Sequence, residues 1–183
     1  FNCESLQEIY VINEMAHRHG RKANVSVRIN PDIDAHTHKY VTTGLYENKF
    51  GISQHDFDKL IDILVKSEHI NFIGLHFHIG SQITRVEEVY GLECRRVNEI
   101  VAYFERNGLK VNNINLGGGL GVDYDDPDEN PIADFYTWFR TIRENIVCRE
   151  DQCVHVEPGR SLVAHCATLI SRVLSVKSGE TKN

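Results

Sequence analysis

Apolar residues return at helical spacing over Leu6, Ile9, Ile12 and Ala16 and stop at Gly20. Val25, Val27 and Ile29 then alternate with Ser26, Arg28 and Asn30 as far as Pro31. The pattern predicts a helix followed by a strand, and it repeats. After a long polar loop, Phe57, Leu60, Ile61 and Leu64 mark a second helix, and residues 71–79 a second strand. Val86, Val89, Tyr90, Val97, Ile100, Val101 and Phe104 mark a third helix, before a strand at 111–116. Ile132, Phe135, Phe139, Ile142 and Ile146 mark a fourth helix, before a strand from Cys153 to Glu157. Strands alternating with helices in this way predict parallel βαβ units with right-handed crossovers.

Two α/β architectures fit that order: an open doubly wound sheet and a β/α barrel. Side-chain parity separates them. In an extended strand alternate residues share a face, which puts Phe72, Gly74, His76 and His78 on one side and Ile73, Leu75, Phe77 and Ile79 on the other. Arg28 with Asn30, Asn113 with Asn115, and His155 with Glu157 repeat the pattern near the ends of their strands. A sheet covered by helices on both faces needs both faces apolar. Polar residues converging at strand C-termini instead suit the mouth of a barrel, where active sites of that fold lie. Only about four βα units are legible, against the eight of a complete (β/α)8 TIM-type barrel, so the chain reads as a segment of one. Beyond Ser161 the pattern changes, because "ATLISRVLSVKSGETKN" is rich in β-branched residues and has a Ser-Gly turn. The expected division is a partial barrel domain over 1–164 and the truncated start of a β-rich domain over 165–183.

Composition narrows the function. A chain of 183 residues, 41% hydrophobic and 25% charged, can bury one substantial core. Its net charge of -6, with basic residues scattered, offers no footprint for nucleic acid or an anionic membrane. No apolar run approaches the roughly 20 residues that cross a bilayer, and the first residues lack a signal-peptide pattern, so a cytoplasmic location is expected. Five cysteines without a CxxC pair argue for reduced thiols rather than a disulfide framework or a zinc knuckle.

Three short segments follow strands and carry candidate chemistry. In "NLGGGLG", residues 115–121, Gly117, Gly118 and Gly119 allow backbone N–H groups close to a phosphate. A tight structural turn explains the same glycines. The dinucleotide and P-loop motifs both fail here, since Val122 breaks the glycine register and no Gly-Lys-Ser/Thr follows. In "EPGR", Glu157 ends a strand, Pro158 sets the turn, and Gly159 offers an amide beside Arg160. Gly80-Ser81, after His78, adds an amide and a hydroxyl. An aromatic ring, a carboxylate, small-residue amides and an arginine at one mouth match the needs of a phosphorylated heteroaromatic cofactor.

"VRINPDIDAHTHKYVTTGLYENKFGIS", "GLHFHIGSQ", "NLGGGLGVDY" and "EPGRSLVA" in this order make the chain resemble the diaminopimelate decarboxylases along essentially its whole length. These are pyridoxal 5'-phosphate lyases with a β/α barrel and a β-rich second domain. Ornithine and arginine decarboxylases are similar in the glycine loop and EPGR, while the Asn-Pro-Asp segment and the Gly-Ser-Gln ending favour the diaminopimelate branch. The resemblance implies that His78 stacks on the pyridine ring and that Glu157 meets the ring nitrogen. It implies that Ser81 and the Gly119 and Gly159 amides hold the phosphate, with Gly117, Gly118 and Pro158 also among the cofactor-binding residues. Arg160 reaches phosphate or, by preference, a substrate carboxylate, which a guanidinium reads bidentately. Arg28 is expected near the ring, and His76 either behind it or as a satisfied core histidine. The family's cofactor-bearing lysine and its proton-donating cysteine, commonly contributed across a homodimer interface, match nothing in this chain. Lys22, in "RKAN", resembles the lysine's surroundings but precedes a strand and so belongs at the wrong end of the barrel. The implied reaction is decarboxylation of meso-diaminopimelate, an amino-acid substrate, to lysine.

Two other readings remain at this point. His76 and His78, with His155 and Asp123, could serve a metal-dependent barrel hydrolase, although the family reading has no metal. A decarboxylase-like chain retained for binding alone is the other.

Overall fold

The computed structural model describes residues 1–33, 50–130 and 132–177. Helix α1, Leu6–Arg18, shows how closely local chemistry sets boundaries. Ser5 accepts a hydrogen bond from the Glu8 N–H, and the Glu8 carboxylate accepts one from the Ser5 N–H at 2.9 Å, a reciprocal cap that satisfies two orphan donors. Glu8 in the first turn and Arg18 in the last complement the helix dipole. Gly20, with φ of +60°, closes the far end by donating to the His17 carbonyl at 2.9 Å.

Strands β1 (Asn2–Cys3), β2 (Ala23–Arg28), β3 (Ile70–His76), β4 (Asn113–Gly118) and β5 (Cys153–Glu157) form one sheet. Every neighbouring pair is parallel, and the spatial order is the chain order. That order decides the architecture. A doubly wound sheet reverses direction at a switch point, whereas here each crossover advances the same way, as in the wall of a barrel. Helices α2 (Phe57–Lys66), α3 (Val86–Arg106), α4 (Phe135–Asn145) and the short α5 (Arg160–Val163), with a single 3-10 turn at Gln54–Asp56 before α2, complete the described elements. The fully buried Val25, Val27, Leu75, Phe77, Ile114 and Leu116 face these helices and form the core with Leu60, Val97 and Phe104.

The structure corrects three expectations. It has a strand, β1, that hydrophobic alternation cannot reveal, because two residues show no period. The histidine strand does not keep one parity. Val25 pairs with Phe72 but Ser26 with Gly74, so Ile73 is an extra residue in a bulge. Phe72 therefore turns toward the helices and stacks on Phe104 at 6.4 Å between ring centroids, away from the face of His76. The third correction concerns α4, which starts at Phe135, where the Asp134 side chain accepts from the Thr137 N–H. Ile132 precedes it and is 73% exposed, Phe139 is 49% exposed, and the fully buried residue is Trp138, whose ring meets Tyr90 of α3 at 5.5 Å. Residues 165–177 contain neither helix nor strand. No helix among the described residues is long and apolar enough to cross a membrane.

Helix α3 carries a local conflict. Glu93 is fully buried, one turn after Tyr90, and neither carboxyl oxygen has a hydrogen-bond partner. Burial raises its pKa well above the ordinary 4.5. The folded state therefore keeps a proton that the unfolded chain releases. Stability from this group is complete below pH 4.5 and declines as pH rises toward the folded-state value. Glu93→Met, similar in volume and free of the orphan carboxyl, is expected to stabilise the protein at pH 8 by about 2 kcal/mol. Thermal melts of both proteins at pH 5 and pH 8 check this, with the gap narrowing at the lower pH.

Candidate active site

The parallel strands place one set of residues at a common end. Inside the wall, Arg28 of β2 pairs with His76 of β3 in the ladder, His76 with Asn115 of β4, and Asn115 with His155 of β5. These are the polar positions that alternation aims inward. Arg28 donates to the Glu4 carboxylate at 2.7 Å and lies over the Phe50 ring, 5.1 Å from its centroid. The His155 ring nitrogen meets the Asn113 side-chain oxygen at 2.9 Å.

Above this layer the three loops converge. The His78 Nδ1 accepts from the Gly118 N–H at 3.3 Å, which ties the loop after β3 to the glycine run ending β4. The glycines permit that approach. A Cβ on Gly118 would fall 1.7 Å from the Glu157 carbonyl oxygen, and one on Gly119 would fall 2.0 Å from that of Gly80. Gly119, with φ of +90°, is also in the left-handed region that disfavours side chains. The glycine run thus packs the ends of β3, β4 and β5 against one another. The Gly117 N–H is taken by the Asn115 side-chain oxygen at 2.9 Å, and that of Gly118 by His78. Gly117 and Gly118 consequently shape the loop rather than offer amides to a ligand. Among the described residues no hydrogen bond outside the sheet ladder occupies the N–H of Gly119 or Gly159.

Arg160 closes the cluster. It donates to the Ser81 hydroxyl at 3.2 Å and to the Gln82 side-chain oxygen at 3.4 Å, bringing EPGR onto the loop after β3. Pro158 accepts from the Ser161 N–H and hydroxyl, which holds the turn. A hydroxyl, two available N–H groups and a guanidinium thus lie together at the end of the sheet where Glu157 ends β5. This donor set fits a phosphate, and the half-exposed carboxylate beneath it fits a protonated ring nitrogen. Open space beside the Cα of Gly80, and no neighbour nearer than the Glu157 carbonyl oxygen at 3.8 Å from a Cβ on Gly159, leave room for it.

Sequence reasoning missed the residues that brace this cluster. Gln82 is left-handed, with φ of +60°, and its side-chain amide spans the Val122 backbone, donating to the carbonyl at 2.5 Å and accepting from the N–H at 3.3 Å. A strained backbone held by its own side chain is a usual mark of a functional loop. The buried Tyr90 hydroxyl donates to the Gly118 carbonyl at 3.0 Å, supporting the glycine run from α3. Neither role has a periodic signal, because each depends on contacts between distant segments.

The metal reading lacks its geometry. Asp123 is committed to its own loop, accepting from the N–H groups of Asp125 and Asp126 and from the Asn130 amide, and these bonds lower its pKa. No group of three or more potential ligands is present among the described residues. The cysteines are all free thiols; burial pushes Cys3 up to about 11 and Cys94 up to about 12, which makes both inert. Lys22 directly precedes β2, at the opposite end of the sheet from Ser81 and Gly159. A six-residue strand spans roughly 20 Å, beyond the reach of a lysine side chain.

A parallel wall in chain order, with a phosphate-type donor set and an inward carboxylate at its C-terminal end, defines a barrel domain for a phosphorylated ring cofactor. The chain belongs to the pyridoxal-dependent decarboxylases, whose pyridoxal binding domain it matches over residues 1–164. It is 48% identical over 182 residues to diaminopimelate decarboxylase of Bacteroides thetaiotaomicron, covering 100% of this chain and 47% of that protein. A crystal structure of diaminopimelate decarboxylase from M. jannaschii superposes with a TM-score of 0.72 at 35% identity, covering 90% of this chain and 38% of that one. Another, of a variant from Helicobacter pylori complexed with L-lysine, gives 0.69 at 34% identity and covers 88% and 40%. The chain spans less than half the length of these relatives.

Proposed function

We propose that the full-length protein is a diaminopimelate decarboxylase, a carbon–carbon lyase that releases carbon dioxide from meso-diaminopimelate and forms L-lysine at this mouth. The convergence of Ser81, Gly119, Gly159 and Arg160 above Glu157 carries the reading. The identity to diaminopimelate decarboxylases along the whole chain supports the choice of substrate. Pyridoxal phosphate, when bound, supplies the electron sink for the pair left by the departing carbon dioxide.

The residues of this chain do the rest. The Ser81 hydroxyl and the Gly119 and Gly159 N–H groups bind the phosphate. His78, tied to Gly118 through Nδ1, keeps its imidazole plane against the ring. Glu157 holds a proton at the ring nitrogen, where a carboxylate favours the charged form. Arg160, steadied by Ser81 and Gln82, presents its guanidinium to a substrate carboxylate. Arg28, beside His76 on β2, would bear on the ring. The remaining parts of the proposal are a homodimer, a cytoplasmic location and a β-rich second domain beginning at residue 165.

Purified full-length protein supplied with pyridoxal phosphate should release carbon dioxide from meso-diaminopimelate and accumulate lysine. A kcat/KM for ornithine or arginine equal to or above that for diaminopimelate would overturn the substrate while leaving the cofactor. A protein that binds pyridoxal phosphate but decarboxylates none of the three would favour a binding role.

A further inference from the structure

Two sets of contacts, drawn from all five strands, approach Glu157: a hydrogen-bonded chain from β2 through β1 to His76 of β3, and a second one from β4. The Ser26 hydroxyl of β2 lies 3.1 Å from the Asn2 side-chain oxygen and 3.4 Å from the Phe1 carbonyl oxygen; donation to the nearer Asn2 oxygen goes with the Asn2 amide nitrogen turned toward β3. That nitrogen lies 2.8 Å from the His76 Nδ1. An amide nitrogen only donates, so Nδ1 must accept, and the proton of a neutral His76 ring is on Nε2. The ring is neutral at pH 7, because burial lowers its pKa below the ordinary 6.5, with Arg28 and His78 adding to the effect and Glu157 and Glu4 opposing it. Nε2 is buried, has no hydrogen-bond partner within contact distance, and faces the Glu157 Oε1 at 3.6 Å.

From the other side, the Gly117 N–H fixes the Asn115 side-chain oxygen at 2.9 Å, and this turns the Asn115 amide nitrogen onto the same Glu157 Oε1 at 2.8 Å. Both approaches converge on one oxygen. Oε2 has no hydrogen bond among the described residues.

We infer that His76 is a positioning residue for Glu157: its Nε2–H, set by Asn2, and the Asn115 amide hold Oε1 so that Oε2 alone is presented to the ring nitrogen. A small closure of the 3.6 Å gap completes the bond when the carboxylate is engaged. The inference rests on the cofactor reading above but concerns the tautomer and contacts of this chain, which are measurable without cofactor. A carboxylate fixed through one oxygen loses little freedom when the other engages, and that is how such a residue assists a reaction it does not touch.

Two measurements on the full-length protein test it. In 15N-histidine-labelled, cofactor-free protein at pH 7.5, His76 should show the neutral Nε2–H tautomer, and Asn2→Leu should release that preference. An Nδ1–H tautomer or an imidazolium would overturn the inference whatever the enzyme does. In the loaded enzyme, His76→Leu should lower kcat at least about tenfold with KM little changed, while His76→Gln, which keeps a donor, should recover most of the rate. In a Glu157→Gln background, His76→Leu should add no further loss. Equal losses in Leu and Gln, or losses that add to that of Glu157→Gln, would make His76 a merely structural residue. Failure of the parent protein to bind pyridoxal phosphate would refute the proposed function and leave the tautomer result standing.

Discussion

Replacing Glu157 with Gln is expected to slow decarboxylation by the full-length enzyme about a thousandfold, equivalent to about 4 kcal/mol of barrier, while cofactor content stays at the parent level. The expectation follows from the division of labour at the mouth. In the proposed site the phosphate contacts come from Ser81, Gly119 and Gly159, none of which the substitution touches. The Asn115 amide that donates to Oε1 at 2.8 Å can donate equally to a glutamine oxygen, so the side chain stays in place. What disappears is the charge that favours a proton on the ring nitrogen. Single-turnover kinetics at saturating pyridoxal phosphate separate the two effects. A variant that turns over normally would show that Glu157 is not the ring partner, and one that loses cofactor and rate together would place it in binding instead.

The second large effect is expected in the scaffold. A Cβ on Gly118 would lie 1.7 Å from the Glu157 carbonyl oxygen, with backbone on both sides and no flexible side chain to yield. Gly118→Ala must therefore separate the ends of β4 and β5, at a cost of about 4 kcal/mol or more. Because Gly119 and Gly159 move with those strand ends, cofactor affinity should fall with thermal stability. Gly91 supplies the contrast. It lies in the middle of α3, where an added Cβ would meet its nearest neighbour, the Arg95 side chain, at 3.5 Å. Gly91→Ala should leave cofactor affinity unchanged and raise stability by up to about 1 kcal/mol, the usual gain in a helix interior. Parallel melting curves and cofactor titrations check both, and a tolerant Gly118→Ala would contradict the described approach of β4 to β5.

How far the sequence reveals this arrangement depends on whether the information is local. Helix α1 is legible to within a residue or two, because Ser5, Glu8 and Gly20 act within one turn of the positions they cap. Strand β5 is legible because Cys153 to Glu157 alternates cleanly between Gln152 and Pro158. The barrel assignment also survives, since it rests on inward polar positions that the ladder pairs directly. Information that depends on pairing across strands is lost. The bulge at Ile73 leaves no mark in composition, yet it moves Phe72 to the opposite face. Trp138 is the anchor of α4, although Phe135 and Phe139 offer an equally good stripe, because Tyr90 on a different helix sets the contact.

The site divides in the same way. Ser81, Gly159, Arg160 and Glu157 stand out by motif, and the fold brings their segments together. The glycine run stands out too, but its chemistry is mixed: Gly117 and Gly118 spend their N–H groups on the Asn115 and His78 side chains, and the Gly119 N–H has no side-chain partner among the described residues. Gln82, Tyr90, Asn115 and Asn2 carry no chemical signature of their own. They matter because they brace residues that do, and those contacts exist only after β1 to β5 align.

A crystal structure of the full-length protein grown with pyridoxal phosphate tests the central claim most directly. The phosphate should lie on the Ser81 hydroxyl and the Gly119 and Gly159 N–H groups, the His78 ring against the pyridine face, and the Glu157 Oε2 within about 3 Å of the ring nitrogen. A cofactor bound elsewhere, or one whose ring nitrogen faces away from Glu157, would contradict it.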